Sequence, residues 1–122
     1  MSVRLCRRIQ RHLTDDLLCP RWRAKRKPGD HNTTGHCYIA AEAAYHLYGK
    51  ARGFTPYVIS GPDWTHWYLR HPDGRILDPT AEQWGTETIP YDRGRGSGFL
   101  TRDPSRRCRE LMSRVALVAA IN

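Results

Sequence analysis

Three residues of this chain have side chains that could act together on an acyl carbon: Cys37, His66 and Asp78. A thiol attacks as its thiolate, an imidazole takes and returns the proton, and a carboxylate holds the imidazole in one tautomer. Cys37 follows the small polar run Thr33-Thr34-Gly35-His36 and opens a stretch rich in helix formers. That places it in the first turn of a helix, where unpaired N–H groups and the dipole favour a thiolate. Cys6, Cys19 and Cys108 have no such placement. A lone cysteine there is otherwise a buried filler, so the weight falls on its partners.

The partners depend on one turn. His66 lies in a β-rich run, 64–70, and Asp78 closes the next one, 75–77. Between them stands His71-Pro72-Asp73-Gly74, which suits a type I turn followed by a left-handed residue, a three-residue hairpin loop. His71 then faces Arg75, Tyr68 faces Asp78 and His66 faces Thr80. Facing residues share a side of the sheet and successive residues alternate, so His66 and Asp78 become diagonal neighbours on one face. A two-residue loop at Asp73-Gly74 shifts the register by one and separates them.

These residues must be held by a small number of elements. Val3, Cys6, Ile9, Leu13 and Leu17 recur at helical spacing, predicting an amphipathic helix over 3–18 that Pro20 ends. Residues 21–36 read as a basic loop or arm. The run 36–48 predicts a central helix capped by Gly49. Strands are expected at 55–60, 64–70 and 75–77. The stretch 85–104 reads as a long irregular loop whose Gly94–Gly98 run could serve as a flap, anchored by Phe99 and Leu100. Pro104-Ser105 opens a last helix to about 120. The order of elements predicts a single α+β domain.

The length of 122 residues fits one domain with a modest core. Val115–Ile121 is the longest apolar run, and a membrane span needs about 20 such residues, so no membrane partner is expected. The net charge of +8 is uneven. Residues 1–28 carry nine Lys and Arg against Asp15 and Asp16, whereas residues 29–122 are nearly balanced. The division expected is therefore a basic N-terminal helix and arm, 1–28, attached to a core, 29–122. No secretory leader is read in the first residues, and the cysteines are taken as cytosolic thiols. No Cys-x-x-Cys pair is present, so no metal or other cofactor is expected.

The segments Gly35-His36-Cys37, Thr65-His66-Trp67-Tyr68-Leu69 and Gly74-Arg75-Ile76-Leu77-Asp78-Pro79-Thr80 resemble the transglutaminase-like core of the papain-like cysteine enzymes. The resemblance covers about residues 33–84. This chain has His66-Trp67-Tyr68 where that family commonly has His-x-Trp. The Gly-His-Cys-Tyr, Thr-His-Trp and Asp-Pro-Thr-Ala segments also resemble small phage-encoded proteins, which implies a host-cell cytoplasmic setting. The family resemblance implies a papain-like fold, with Cys37 as nucleophile, His66 as proton carrier and Asp78 as its orienting group. It further implies an oxyanion site at the Cys37 backbone N–H with a second donor upstream, for which Asn32 is the nearest amide side chain. The chemistry expected is that of a peptidase, amidase or deamidase, with transglutamination as the variant in which an amine replaces water.

Trp64 shares the His66 face by strand parity, and with Trp84 it is a candidate substrate wall; Trp67 points to the other side. Gly94-Arg95-Gly96-Ser97-Gly98 lacks the strand and helix that a phosphate-cradling loop requires. The arm Arg21, Trp22, Arg23, Lys25, Arg26 and Lys27 mixes cations with an aromatic ring. It defines the second function class: a nucleic-acid or inhibitor-type binding protein acting through its basic N-terminus. The third is a papain-like scaffold that binds a partner without chemistry. Oligomeric state is left open by the sequence.

Overall fold

The computed structural model describes residues 2–25, 36–62 and 64–121, with side chains apart from those of Ser2, Trp22 and 117–121. Among these residues the chain is α+β, with four α-helices and one four-stranded antiparallel sheet.

The first helix, α1, runs Ser2–Arg11 and buries Ile9. The predicted helix over 3–18 stops there, because Thr14-Asp15-Asp16 offers short polar side chains that compete with helical backbone bonds. A separate 3₁₀ turn, Asp15–Leu17, carries Leu17 inward. Pro20 does not end a helix; it begins one, α2, Pro20–Lys25, where its missing N–H costs nothing. The segment expected to be a loop is thus helical as far as Lys25.

Helix α3, Cys37–Ala44, is buried on all sides: Ile39, Ala40, Ala41, Glu42, Ala43 and Ala44 are all inaccessible. It widens into a π-helical turn, Tyr45–Gly49, and tightens into a 3₁₀ turn, Lys50–Arg52. The left-handed residue that stops it is Gly53, with φ of 85°, not Gly49, whose φ is −65°. Gly49 is small for a different reason: a Cβ there would lie 2.9 Å from Leu69 Cδ1.

The sheet order is β3-β2-β1-β4, with β1 Thr55–Ser60, β2 Thr65–Arg70, β3 Ile76–Leu77 and β4 Arg95–Gly96. The fourth strand lies within the glycine run expected as a flap. Arg95 pairs with Val58 and Gly96 with Tyr57, so this part of the run is an edge strand. Phe99 packs on Tyr38, Tyr45 and Trp67, whereas Leu100 is 86% exposed and anchors nothing with its side chain.

The final helix, α4, spans Arg106–Ile121. Its start is held by a buried carboxylate on α3. Ser105 donates its N–H and its hydroxyl to Glu42 at 3.0 and 2.7 Å, while Ser105 Oγ accepts from the Cys108 N–H at 3.3 Å. Ile9, Leu13 and Leu17 join Ile39, Ala40, Leu69, Leu77, Leu111 and Val115 in one core cluster. Each such aliphatic side chain contributes about 1.5–3 kcal/mol by leaving water. Arg114 adds polar links from α4 to Thr14 Oγ1 and Asp16 Oδ2, both at 2.7 Å. The basic N-terminal helix is therefore part of the common core. No helix among the described residues is long and apolar enough to cross a membrane.

Candidate active site

The hairpin between β2 and β3 sets the site. His71 N–H donates to Arg75 O at 2.9 Å, Gly74 N–H donates to His71 O at 2.9 Å, and Gly74 has a φ of 95°. Asp73 braces the loop by accepting from Arg75 N–H at 3.0 Å and Arg75 Nε at 2.7 Å. The loop has three residues, and the pairs Arg70–Ile76 and Leu69–Leu77 follow from it. Leu69 and Leu77 face the core cluster, and Trp67, on the same side by alternation, meets Tyr38 and Phe99. His66 and Tyr68 occupy the opposite face with ring centroids 6.0 Å apart, covered by Trp84 and Tyr91.

This register brings two of the three predicted groups together. His66 Nε2 lies 2.7 Å from Asp78 Oδ2, and the two side chains are 1% and 3% exposed. Asp78 Oδ2 also accepts from the Tyr91 hydroxyl at 2.7 Å, and Oδ1 accepts from the Thr80 N–H at 3.2 Å. Three donors thus fix the carboxylate, and the His66 hydrogen is held on Nε2. The remaining nitrogen, Nδ1, lies 2.8 Å from the Gln83 side-chain nitrogen.

Cys37 is 8% exposed at the first residue of α3. Its Sγ meets the carbonyl of Thr65, the residue before His66, at 3.6 Å. Burial alone would lower the basicity of His66. Hydrogen bonds to Asp78 and to Cys37, with the negative charge of both, outweigh it, and the imidazole pKa is pushed up to about 9. Burial, followed by the charge of Asp78, pushes the Tyr91 phenol well above its usual range, so it stays a donor.

Cys37 and His66 open onto a cleft of about 240 Å³, walled by Trp64 and Trp84, with Thr65, Gln83 and Glu87 completing it. The two indoles meet edge to face at 5.3 Å, and Trp84 meets the His66 ring at 5.4 Å. Both residues expected as a substrate wall therefore stand at the cleft. Asn32, Arg26 and Lys27 lie outside the described residues, as does the Trp22 side chain. Arg21 and Lys25 are exposed on α2. Arg23 spends its guanidinium on the carbonyls of Asp15, Asp16 and Leu18 at 3.2–3.3 Å. His36, next to the cysteine in sequence, is buried, and its Nε2 lies 2.9 Å from Thr14 O.

Two site residues escaped sequence reasoning. Tyr91 returns from the irregular stretch, where no periodicity places it. Gln83 stands one 3₁₀ turn after Thr80, on the turn Ala81–Trp84, so an i, i+3 spacing from the Asp-Pro-Thr segment was its signal. Among the described residues no group of three or more His, Cys, Asp or Glu side chains could hold a metal ion. No family model, no curated protein and no solved structure matches the chain.

Proposed function

We propose that this chain is a cysteine-dependent acyl-transfer enzyme of the papain-like, transglutaminase-like kind, with Cys37, His66 and Asp78 as its triad. The observation that carries the reading is the buried 2.7 Å His66–Asp78 pair opening on the cleft that holds Cys37. Cys37 attacks a carboxamide or similar acyl carbon, and His66, whose raised pKa keeps it charged near neutral pH, carries the proton. Asp78 holds the Nε2 hydrogen and stabilises the charged ring. The leaving amine takes the proton back, and water releases the acyl group. A cleft of about 240 Å³ between two indoles takes one carboxamide side chain or a small amide.

The test is acylation by an activated ester, p-nitrophenyl acetate, followed by peptide mapping. The expected result is one acetyl group on Cys37, absent in Cys37→Ala and strongly slowed in His66→Ala. Acetylation that ignores His66→Ala overturns the reading.

A second reading, binding of a polyanion such as nucleic acid, is favoured by one observation. Arg4, Arg7, Arg8 and Arg11 line a single furrow along α1, and Arg4 and Arg8 also border a second one with Tyr48 and Arg52. Their i, i+3, i+4, i+7 spacing puts all four on one face, opposite buried Ile9. Among the described residues none of the four pairs with a carboxylate. These cations add to those of the arm, of which Arg21 and Lys25 are exposed on α2. With Ile9 buried and Leu5 and Cys6 packed against the core, the outward face of α1 offers charge to phosphates.

A further inference from the structure

Among the side chains that line the Cys37–His66 cleft, Glu87 is the only carboxylate, and no Lys or Arg lines it. Glu87 is exposed, and among the described residues its carboxylate has neither an ion pair nor a hydrogen bond. The chain as a whole carries a net charge of +8, so the sign of charge at this mouth is opposite to that of the molecule.

The backbone fixes what stands around that carboxylate. The Glu87 N–H donates to Trp84 O at 3.1 Å, across a turn made at Gly85, whose φ is 60°. Glu87 thus follows directly on the indole that lies against His66. The other indole is held by Gly61, where a Cβ would come within 2.1 Å of Trp64 Cε2. The two rings meet at 87° and form a corner of set shape. Indole faces attract cations, and no Lys or Arg of the described residues stands over either ring. Two aromatic walls beside one carboxylate suit a positive charge: the rings displace water and the carboxylate supplies the opposite sign. His66 decides which end of the substrate bears that charge. Its ring is charged near neutral pH and must come within hydrogen-bond distance of the leaving amine, so a further cation on the amine side is repelled. The acyl half stays bonded to Cys37 Sγ in the cleft and can extend toward Glu87.

We infer that Glu87 is a specificity-determining residue: with the Trp64 and Trp84 rings it selects acyl groups that carry an ammonium or guanidinium charge. The inference rests on the Cys37–His66–Asp78 reading and adds to it the charge of the substrate.

Two p-nitrophenyl esters of one shape test it: that of γ-(trimethylammonio)butyrate, and its tert-butyl isostere, in which carbon replaces the charged nitrogen. Cys37 Sγ bonds to the carbonyl carbon, the ester C–O bond breaks, and p-nitrophenolate leaves; peptide mapping places the acyl group. The readout is the ratio of the two acylation rates, cationic over neutral, each divided by the rate with mercaptoethanol to remove intrinsic reactivity. The wild-type ratio is expected to exceed one. Glu87→Gln should lower it about fivefold, the factor that one unit charge gives at close range in water, and Glu87→Lys should lower it further. Added salt should lower the ratio in the wild type and hardly change it in Glu87→Gln. If Cys37 is acylated but the wild-type ratio is one or less, or neither substitution moves it, the inference is overturned and the triad stands. If Cys37 takes neither acyl group faster than Cys19 does, the triad falls and the inference with it.

Discussion

His66 and Asp78 are twelve residues apart in sequence, yet Nε2 and Oδ2 are 2.7 Å apart and almost wholly buried. A buried imidazole beside a carboxylate charges more readily than one in water, because the pair and its hydrogen bond outweigh desolvation. The pKa of His66 accordingly rises from 6.5 to about 9.

Stability should therefore depend on pH with a definite sign. The folded-state pKa of His66 is raised, so its contribution is complete below the unfolded pKa of 6.5 and is lost as pH climbs through about 9. Cys37 and Tyr91 stand in the same cluster, so the comparison must be made in a variant that keeps both. Denaturant unfolding of the wild type is expected to show falling stability across that window, and Asp78→Asn to flatten most of the fall. An equal slope in both proteins removes the pair as its source.

Alkylation should discriminate among the thiols. Burial first, then the charges of Asp78 and Glu82, push Cys6 up to about 12, and burial with Glu42 pushes Cys108 up further. Near neutral pH neither supplies appreciable thiolate. Limited iodoacetamide treatment and peptide mapping are expected to find the label on Cys37 before Cys6 or Cys108. Labelling of either at the rate of Cys37 contradicts the assignment.

Tyr91 is a positioning residue. Its hydroxyl is one of three donors to Asp78, and a hydrogen bond to a charged group is worth about 1.5–3 kcal/mol. Tyr91→Phe is expected to lose stability of that order by denaturant titration, and to slow acylation of Cys37 more than alkylation, since Asp78 then holds the ring less firmly. A variant as stable as wild type and unchanged in both rates contradicts this.

Two glycines near β4 should respond differently to alanine. A Cβ on Gly94 would overlap the Tyr68 hydroxyl, whereas one on Gly98 meets nothing within 4 Å. Overpacking of this kind costs about 1–3 kcal/mol. Thermal unfolding is expected to show a clear drop for Gly94→Ala and almost none for Gly98→Ala. Equal effects would mean the Gly94 contact with Tyr68 is not what restricts that position.

The arginine face of α1 gives a salt signature. If Arg4, Arg7, Arg8 and Arg11 each neutralise one phosphate of duplex DNA, the plot of log affinity against log salt has a slope of roughly −3 to −4. Arg4→Gln and Arg8→Gln should each reduce its magnitude by about one. Binding that is insensitive to salt and to both substitutions eliminates the polyanion reading.

Much of the frame was legible in the residues. Strand periodicity predicted Thr55–Ser60 and the β2–β3 hairpin because Pro72-Asp73-Gly74 has few backbone options, and a three-residue loop fixes parity along both strands. The pairing of His66 with Asp78 follows from that parity alone. Apolar spacing does not reveal the break of the first helix at Thr14-Asp15-Asp16 or the helical start at Pro20, since it continues through Leu17 whether or not the backbone stays helical. Gly49 reads as a cap in sequence because a glycine required by close approach of Leu69 looks the same there as one required by a left-handed turn.

What the sequence determined by itself was local: which runs alternate and where the hairpin turns. These depend on neighbours a few residues away, whose dihedral preferences and side-chain periods act at short range. The sequence did not single out Cys37 by helix position, since Cys19 directly precedes α2 and Cys108 lies in the first turn of α4. Tertiary structure alone decided that Tyr91 would close on the Asp78 carboxylate, that Gln83 would meet His66 Nδ1, that Arg95 and Gly96 would form an edge strand, and that α1 would bury Ile9 while turning its arginines outward. Each of these is a contact between segments joined by flexible chain, and it forms only when the burial and hydrogen bonding gained across the whole core exceed the entropy of closing the loop between them.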